Sequence, residues 1–473
     1  MTAPKFCKTK IVATIGPSSW DMDILTQMVE AGVDIARINA SFADFDELKR
    51  VSQMIRKISQ RVSLILDTQG NKIRVAGFET ERVLKKGQLI TLIPSTKDIT
   101  NEDQIQITYD NLNKDISRNT IILLDDGNIE LKVKEIVDNN IVCTVQNHSI
   151  LHPHKTVNIP NSFLNFPLLT QKDKQDIEYA VDLGYDFVAL SFVQSSKVVK
   201  LTRELLGDSD INIISKIENQ AGIDNFDDIL KYSDGIMIAR GDLGVEISFE
   251  QIPMIQKQLI YRCRAVGKPV IVATQMLESM RYNIRATRAE VSDVANSVID
   301  GADAIMLSAE TSTGKYPIES VETMNTIALS VENILTPQVV YGRTTASLDT
   351  DELCKSVFNL TNSLNLKSVL VISQSGKSVQ SLSRHRLSIP IYEVTNDFKR
   401  VREDNLLRGV KCYYAQSLSD DRDKSIERAV EIVFSYGELD FDDKIAIISG
   451  SSIKNKSINS ILEIATVKDI LGR

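Results

Sequence analysis

Two carboxylates stand where apolar, β-rich runs give way to polar loops: Glu218 in Ile214-Ser215-Lys216-Ile217-Glu218-Asn219, and Asp242 in Ala239-Arg240-Gly241-Asp242-Leu243-Gly244. Each has a cation close by in sequence, and hard oxygen ligands beside fixed positive charge suit a divalent metal held against phosphate. A lone strand-end acid ordinarily faces water. Two of them, 24 positions apart with Lys216 just before one, fit a shared site, because strand ends of a parallel α/β sheet converge on one rim and that separation spans one βαβ repeat.

Eight short apolar runs read as the strands that would carry such a rim: Lys10 to Ile15, Asp34 to Asn39, Val62 to Thr68, Phe187 to Phe192, Asn212 to Glu218, Gly235 to Gly241, Val270 to Gln275 and Ala304 to Glu310. Helical patterns alternate with them, and nearly every run has a residue capable of chemistry at its C-terminal end. The pattern predicts a (β/α)₈ TIM barrel of the α/β class, over 1–71 and 161–340, with its active site on the C-terminal rim. The wide gap between the third and fourth runs instead shows alternating strands and turns. That gap predicts an inserted small β-barrel lid at 72–160, hanging over the rim. Beyond the linker signals Thr336-Pro337 and Thr344-Thr345-Ala346-Ser347, alternation resumes and predicts a C-terminal open α/β sheet domain at 341–473.

Composition excludes several classes of function. The net charge of −8 argues against a nucleic-acid or membrane-surface binder, which would need a broad basic face. Five cysteines without Cys-x-x-Cys spacing fit reduced thiols better than a disulfide framework. With no apolar N-terminal stretch and no run near membrane-spanning length, the expectation is a cytoplasmic protein. His148, His152 and His154 cluster in the lid, but no cysteine or carboxylate pair completes a metal site there.

The chain closely resembles the pyruvate kinases over essentially its whole length. The resemblance is carried by Thr9-Lys10-Ile11-Val12, Thr14-Ile15-Gly16-Pro17-Ser18-Ser19, Ala36-Arg37-Ile38-Asn39-Ala40-Ser41, Leu66-Asp67-Thr68, the two acidic motifs above, Ala273-Thr274-Gln275-Met276-Leu277-Glu278-Ser279-Met280, Thr287-Arg288-Ala289-Glu290-Val291-Ser292-Asp293 and Met306-Leu307-Ser308-Ala309-Glu310-Thr311. It implies phosphoryl transfer from phosphoenolpyruvate to ADP, giving pyruvate and ATP, in a homotetramer regulated by a phosphorylated effector. By motif match, Glu218 and Asp242 would hold Mg²⁺ or Mn²⁺, and Lys216 would be the catalytic lysine. Arg37 would bind phosphate, Asn39, Arg74 and Lys155 the nucleotide, and the Gly241 and Asp242 N–H groups the substrate carboxylate. Thr274 and Ser308 would serve a proton relay that turns enolpyruvate into pyruvate.

Departures from the family pattern fall beside this machinery. Phe42 and Ala43 follow Ser41 where the family has His-Gly, and Gln69, Asn71 and Lys72 stand where potassium-dependent members carry Lys, Pro and Glu. The resemblance implies a monovalent-cation site of Asn39, Ser41, Asp67 and Thr68. A Lys72 ammonium beside it predicts activity without K⁺. In the C-terminal part, Ser373, Ser375, Gly376, Lys377 and Ser378 match the family's effector loop, and the tail from Ser449 to Ser460 lacks the glycine-rich form of members that respond to fructose 1,6-bisphosphate. Two rival readings are a metal-dependent aldolase acting on pyruvate-like enolates and a catalytically silent regulator, the latter motivated also by Gln194 and Ala309.

Overall fold

The computed structural model describes residues 6–160, 162–336, 339–373, 375–419, 421–450 and 459–472. Eight parallel strands close a barrel: β1 (Lys10–Thr14), β2 (Ile35–Asn39), β3 (Ser63–Asp67), β4 (Phe187–Leu190), β5 (Asn212–Ile217), β6 (Gly235–Ala239), β7 (Val270–Ala273) and β8 (Ala304–Leu307). Closure is direct, with Lys10 of β1 in register with Ala304 of β8. These strands read as nearly unbroken apolar runs because both faces are covered. One face packs on the surrounding helices, and the other fills the interior with Val12, Ile35, Ile65, Ala189, Ile214, Met237, Ile271 and Met306.

The strands stop sooner than their apolar runs suggest. Glu218, Thr274, Ser308 and Glu310 all lie just beyond the last paired residue rather than inside a strand. The reason is conformational: Thr274 and Gln275 turn into left-handed backbone, and Ala309 starts a short helix.

Between β3 and β4 the chain forms a second closed barrel of seven strands, mostly antiparallel, in the order 140–145, 89–94, 104–107, 73–76, 156–158, 121–124 and 129–137. Alternating burial along Ile129–Val137, inward at Ile129, Leu131 and Val133, gives it a core of its own. After the barrel come a five-stranded sheet ordered 410–414, 391–395, 368–372, 444–450 and 459–466, with only the last strand antiparallel. Residues 451–458 of the tail fall outside the described residues.

This third unit packs on the N-terminal ends of the barrel strands, opposite the rim. Leu406 enters the interior cluster of the barrel, and Lys10 Nζ donates to the Val410 carbonyl at 2.8 Å. Arg402 pairs with Asp186, which precedes β4, and Arg386 pairs with Asp303, which precedes β8.

Candidate active site

The C-terminal ends of β2, β3, β4 and β5 place a buried ionic network at the rim. Arg37 donates through Nε to Asp67 Oδ2 at 2.6 Å and through Nη1 to Thr14 Oγ1 at 2.8 Å. Lys216 donates to Asp67 Oδ1 at 3.1 Å and to Ser191 Oγ at 2.8 Å, and its ammonium lies 3.0 Å from Glu218 Oε1. The Ser191 hydroxyl donates in turn to the Thr68 carbonyl at 2.7 Å. Thus Arg37, Asp67, Thr68, Lys216 and Glu218 meet as one unit.

Charge inside this unit is set by neighbours as much as by burial. Burial disfavours an ionised Asp67, but Arg37 and Lys216 together hold its carboxyl below the usual carboxylate range. Burial likewise disfavours the Lys216 ammonium, yet Asp67 and Glu218 outweigh it and push the lysine up. Glu218 goes the other way: burial raises its pKa, with Lys216 opposing and Asp242 adding to the rise. Glu218 Oε2 accepts the Phe192 N–H at 2.6 Å, whereas Oε1 accepts no aligned hydrogen bond despite the nearby ammonium. A fully buried carboxylate oxygen left open in this way is a hard donor with a free valence, so the residues fit a divalent cation. Among the described residues no cluster of three His, Cys, Asp or Glu forms a richer metal cage. A two-carboxylate site suits an ion that keeps its other positions for water and phosphate oxygens.

Asp242 sits in the helix Arg240–Glu246, and Lys72 donates to both its oxygens, at 3.2 and 3.4 Å. The same ammonium lies 5.1 Å from the centre of the Phe192 ring. The sequence expectation set Lys72 beside the site of Asn39, Ser41, Asp67 and Thr68; the carboxylate it pairs with is Asp242. Those residues satisfy one another or their neighbours: Asn39 Oδ1 accepts the Ser41 N–H, both Asp67 oxygens are taken, and Thr68 Oγ1 accepts the Ser191 N–H. Lys72 instead pairs with Asp242 at the lid side of the rim. Across the rim three cations, Arg37, Lys72 and Lys216, balance three carboxylates, Asp67, Glu218 and Asp242.

At the next strand end Thr274 and Gln275 have φ of 67° and 54°, a left-handed geometry costing on the order of 1 kcal/mol or more per residue. Thr274 Oγ1 accepts the Gly241 N–H at 2.8 Å and donates to the Ala273 carbonyl at 2.6 Å. The Gly241 N–H expected to face the substrate carboxylate therefore bonds to Thr274 here. Ser308 Oγ is buried with no hydrogen-bond partner, while its N–H donates to Glu310 at 2.8 Å. Arg74 Nη1 donates to the His154 carbonyl and Lys155 pairs with Asp125, so both stay within the lid rather than joining the rim cluster. A cavity of about 280 Å³ separates lid from barrel, with Lys72, Asn158, Phe163, Phe192, Asn219 and Asp242 among its walls. Asn158 closes one side by donating to Glu246 at 3.0 Å.

The suggested effector loop lies on the third unit. The Gly376 N–H donates to Ser373 Oγ at 2.8 Å, and Gly376 takes φ of 70°. A side chain there would strike Asp404. Ser375 and Lys377 are exposed, and Ser378 is buried.

Two participants, Phe192 and Arg240, were not singled out from the sequence, whereas Glu310 was read only as the residue capable of chemistry that ends the eighth run. Phe192, in left-handed backbone, supplies the N–H to Glu218. Glu310 accepts from the N–H groups of Ser308 and Leu277 and so joins two loops. Arg240 donates into the turn after β7. The only signal for any of them was position, at or beside a strand end.

The profile of the pyruvate kinase barrel domain matches residues 6–321, and that of the pyruvate kinase alpha/beta domain matches 351–464. The chain belongs to the pyruvate kinase family. It is 39% identical over 478 residues to a pyruvate kinase of Bacillus licheniformis, covering 98% of this chain and 81% of that one. A pyruvate kinase of Borreliella burgdorferi is 36% identical, with 98% of each chain covered. Among solved structures, a pyruvate kinase from Cryptosporidium parvum matches with a TM-score of 0.92 at 33% identity, over 98% of this chain and 96% of that one. Membership assigns a phosphotransferase activity, in which phosphoenolpyruvate and ADP give pyruvate and ATP, and a family in which a divalent metal generally takes part. No helix among the described residues is long and apolar enough to cross a membrane.

Proposed function

We propose that this pyruvate kinase works through the rim network, with Glu218 and Asp242 holding Mg²⁺ or Mn²⁺. The observation that carries the reading is the open Glu218 oxygen beside the Lys216 ammonium. A metal held by these two carboxylates would supply positive charge to polarise substrate oxygens. Lys216, held between Asp67 and Glu218, presents a fixed charge to the phosphoryl group in flight, and Arg37 offers a guanidinium already oriented by Thr14 and Asp67. The substrate carboxylate replaces Thr274 as acceptor of the Gly241 N–H, which frees the threonine hydroxyl for the proton path shared with Ser308. Asn39, Arg74 and Lys155 serve the nucleotide phosphates once the lid closes across the cavity.

We further read Lys72, paired with Asp242, as supplying internally a charge that K⁺ supplies in other members. Ser373 to Ser378 is read as a loop for a phosphorylated effector, with a monophosphate as plausible chemically as a bisphosphate. The three units are assigned to 1–71 with 161–340, 72–160 and 341–473, in a cytoplasmic homotetramer. A coupled assay with phosphoenolpyruvate, ADP and Mg²⁺, run with and without K⁺ and sugar phosphates, tests the reading. A strong K⁺ requirement would remove the role given to Lys72, and a sedimentation profile of anything other than four chains would remove the tetramer.

A further inference from the structure

Arg240 opens the helix that carries Asp242, yet its side chain leaves that helix and runs beneath the next strand end. It is 6% exposed. Nη2 donates to the carbonyls of Thr274 at 2.8 Å and Gln275 at 3.2 Å, with the Met276 sulfur also at 3.2 Å. Nη1 donates to Asp293 at 2.7 Å and reaches Gln256 at 3.5 Å. The two carbonyls belong to the pair of residues forced into left-handed backbone. Such a turn persists only where its surroundings over-determine it, and here a planar guanidinium spans it from below.

From the other side, the neighbouring Gly241 N–H donates to Thr274 Oγ1. Consecutive residues of one loop thus grip both the backbone and the side chain of the next loop. Little slack remains, since a Cβ at Gly241 would come within 3.2 Å of that hydroxyl oxygen. A lysine could not reproduce the hold: one ammonium cannot face two carbonyls and Asp293 in a fixed plane.

We propose that Arg240 is a positioning residue, fixing the strained Thr274–Gln275 turn against the Gly241–Asp242 segment so that hydroxyl and carboxylate address the same reacting molecule. This rests on the reading above, in which Thr274 serves the proton path. In that step the enolate oxygen of enolpyruvate re-forms the C2 carbonyl, the C2–C3 π pair takes a proton at C3, and the proton derives from solvent through the relay. The Arg240 guanidinium bonds to the turn and to Asp293 rather than to Asp242 or Glu218, so its loss falls on the proton step before it falls on metal binding.

The test uses the whole enzyme with Mg²⁺, ATP and pyruvate in D₂O, following deuterium entry into the pyruvate methyl group by NMR. Forward turnover and Mn²⁺ affinity, by electron paramagnetic resonance, are measured on the same preparations. Arg240→Lys should slow methyl exchange at least tenfold and lower kcat with it, while the Mn²⁺ Kd moves less than threefold. Asp293→Asn, which keeps the guanidinium but removes its anchor, should show a smaller loss of the same pattern and serves if Arg240→Lys fails to fold. Thr274→Val reports on the underlying reading: unchanged exchange in that variant removes the relay. Exchange lost in Thr274→Val but within twofold of the parent in Arg240→Lys and Asp293→Asn overturns the positioning role, as does a parallel loss of Mn²⁺ binding.

Discussion

Lys216 is an ammonium fixed between two buried carboxylates, and that arrangement makes it both a charge for catalysis and a counter-ion for folding. Lys216→Met should cost about 10³-fold in phosphoryl transfer, the scale seen when one preorganised donor is lost. The same change leaves Asp67 and Glu218 without their shared cation, so a stability loss of about 3–5 kcal/mol should accompany it in thermal denaturation. Near-normal turnover would refute the role. Lys72 is the opposite case. Its side chain is about a quarter exposed, at 26%, and such a pair is worth only about 0–1 kcal/mol. Lys72→Glu should therefore melt close to the parent yet need K⁺ for turnover, by tenfold or more in a K⁺ titration. The acids and the lysine were legible in the sequence because each ends an apolar run. Arg240 was not, and for Glu310 only its place at the end of a run was, since both act on backbone groups of other loops, and no spacing along the chain reveals which carbonyl or N–H a fold will bring to them. The partner of Lys72 was not named from the sequence for the same reason: the resemblance placed the residue beside the monovalent site, but only the fold brings its ammonium to Asp242.

At the scale of elements, the sequence disclosed the eight strands and the inserted barrel because their periodicities differ, continuous apolar in one and alternating in the other. Strand ends were harder. The expected strands ran on to Glu218 and Gln275, whereas pairing stops at Ile217 and Ala273, in the second case where Thr274 and Gln275 enter left-handed backbone. A buried acidic group in the third unit was also invisible beforehand. Glu393, in the strand Ile391–Thr395, feels the nearby Asp404 carboxyl and accepts from the Cys412 thiol at 3.2 Å. Burial pushes Asp404 up to about 6 and Glu403 up to about 7, with Arg400 opposing both. Glu393 is raised well above the usual carboxylate range by burial and by Asp404. These carboxyls hold protons in the folded state that the unfolded chain gives up near pH 4. Their contribution is thus fully present below that pH and is lost as pH rises through about 6 to 7 and beyond. Thermal midpoints measured from pH 5 to pH 8 should fall along this window. Glu393→Gln should flatten the dependence and raise the midpoint at pH 8 by about 2–4 °C, and an unchanged slope would rule the pair out as its source.

For the molecule as a whole, the catalytic rim faces the lid, while the third unit clasps the opposite end through Asp186 and Asp303. Asp303 is 2% exposed; it takes both Nη groups of Arg386 and the Arg408 N–H. Asp303→Ala strands the Arg386 guanidinium and should cost about 3–5 kcal/mol, visible in calorimetry as a single transition splitting toward two; a variant that still melts in one step at the parent temperature would show that the clasp does not join the units. The direct pairing of β1 with β8 also has a consequence in time. Lys10 waits for Ala304, so a ribosome adding about 5–20 residues per second leaves the first strand without its neighbour for roughly 15–60 s. During that interval an apolar strand edge is open to other chains. The lid, whose seven strands close on themselves within residues 73–158, needs no such delay and can be complete long before the barrel beneath it exists.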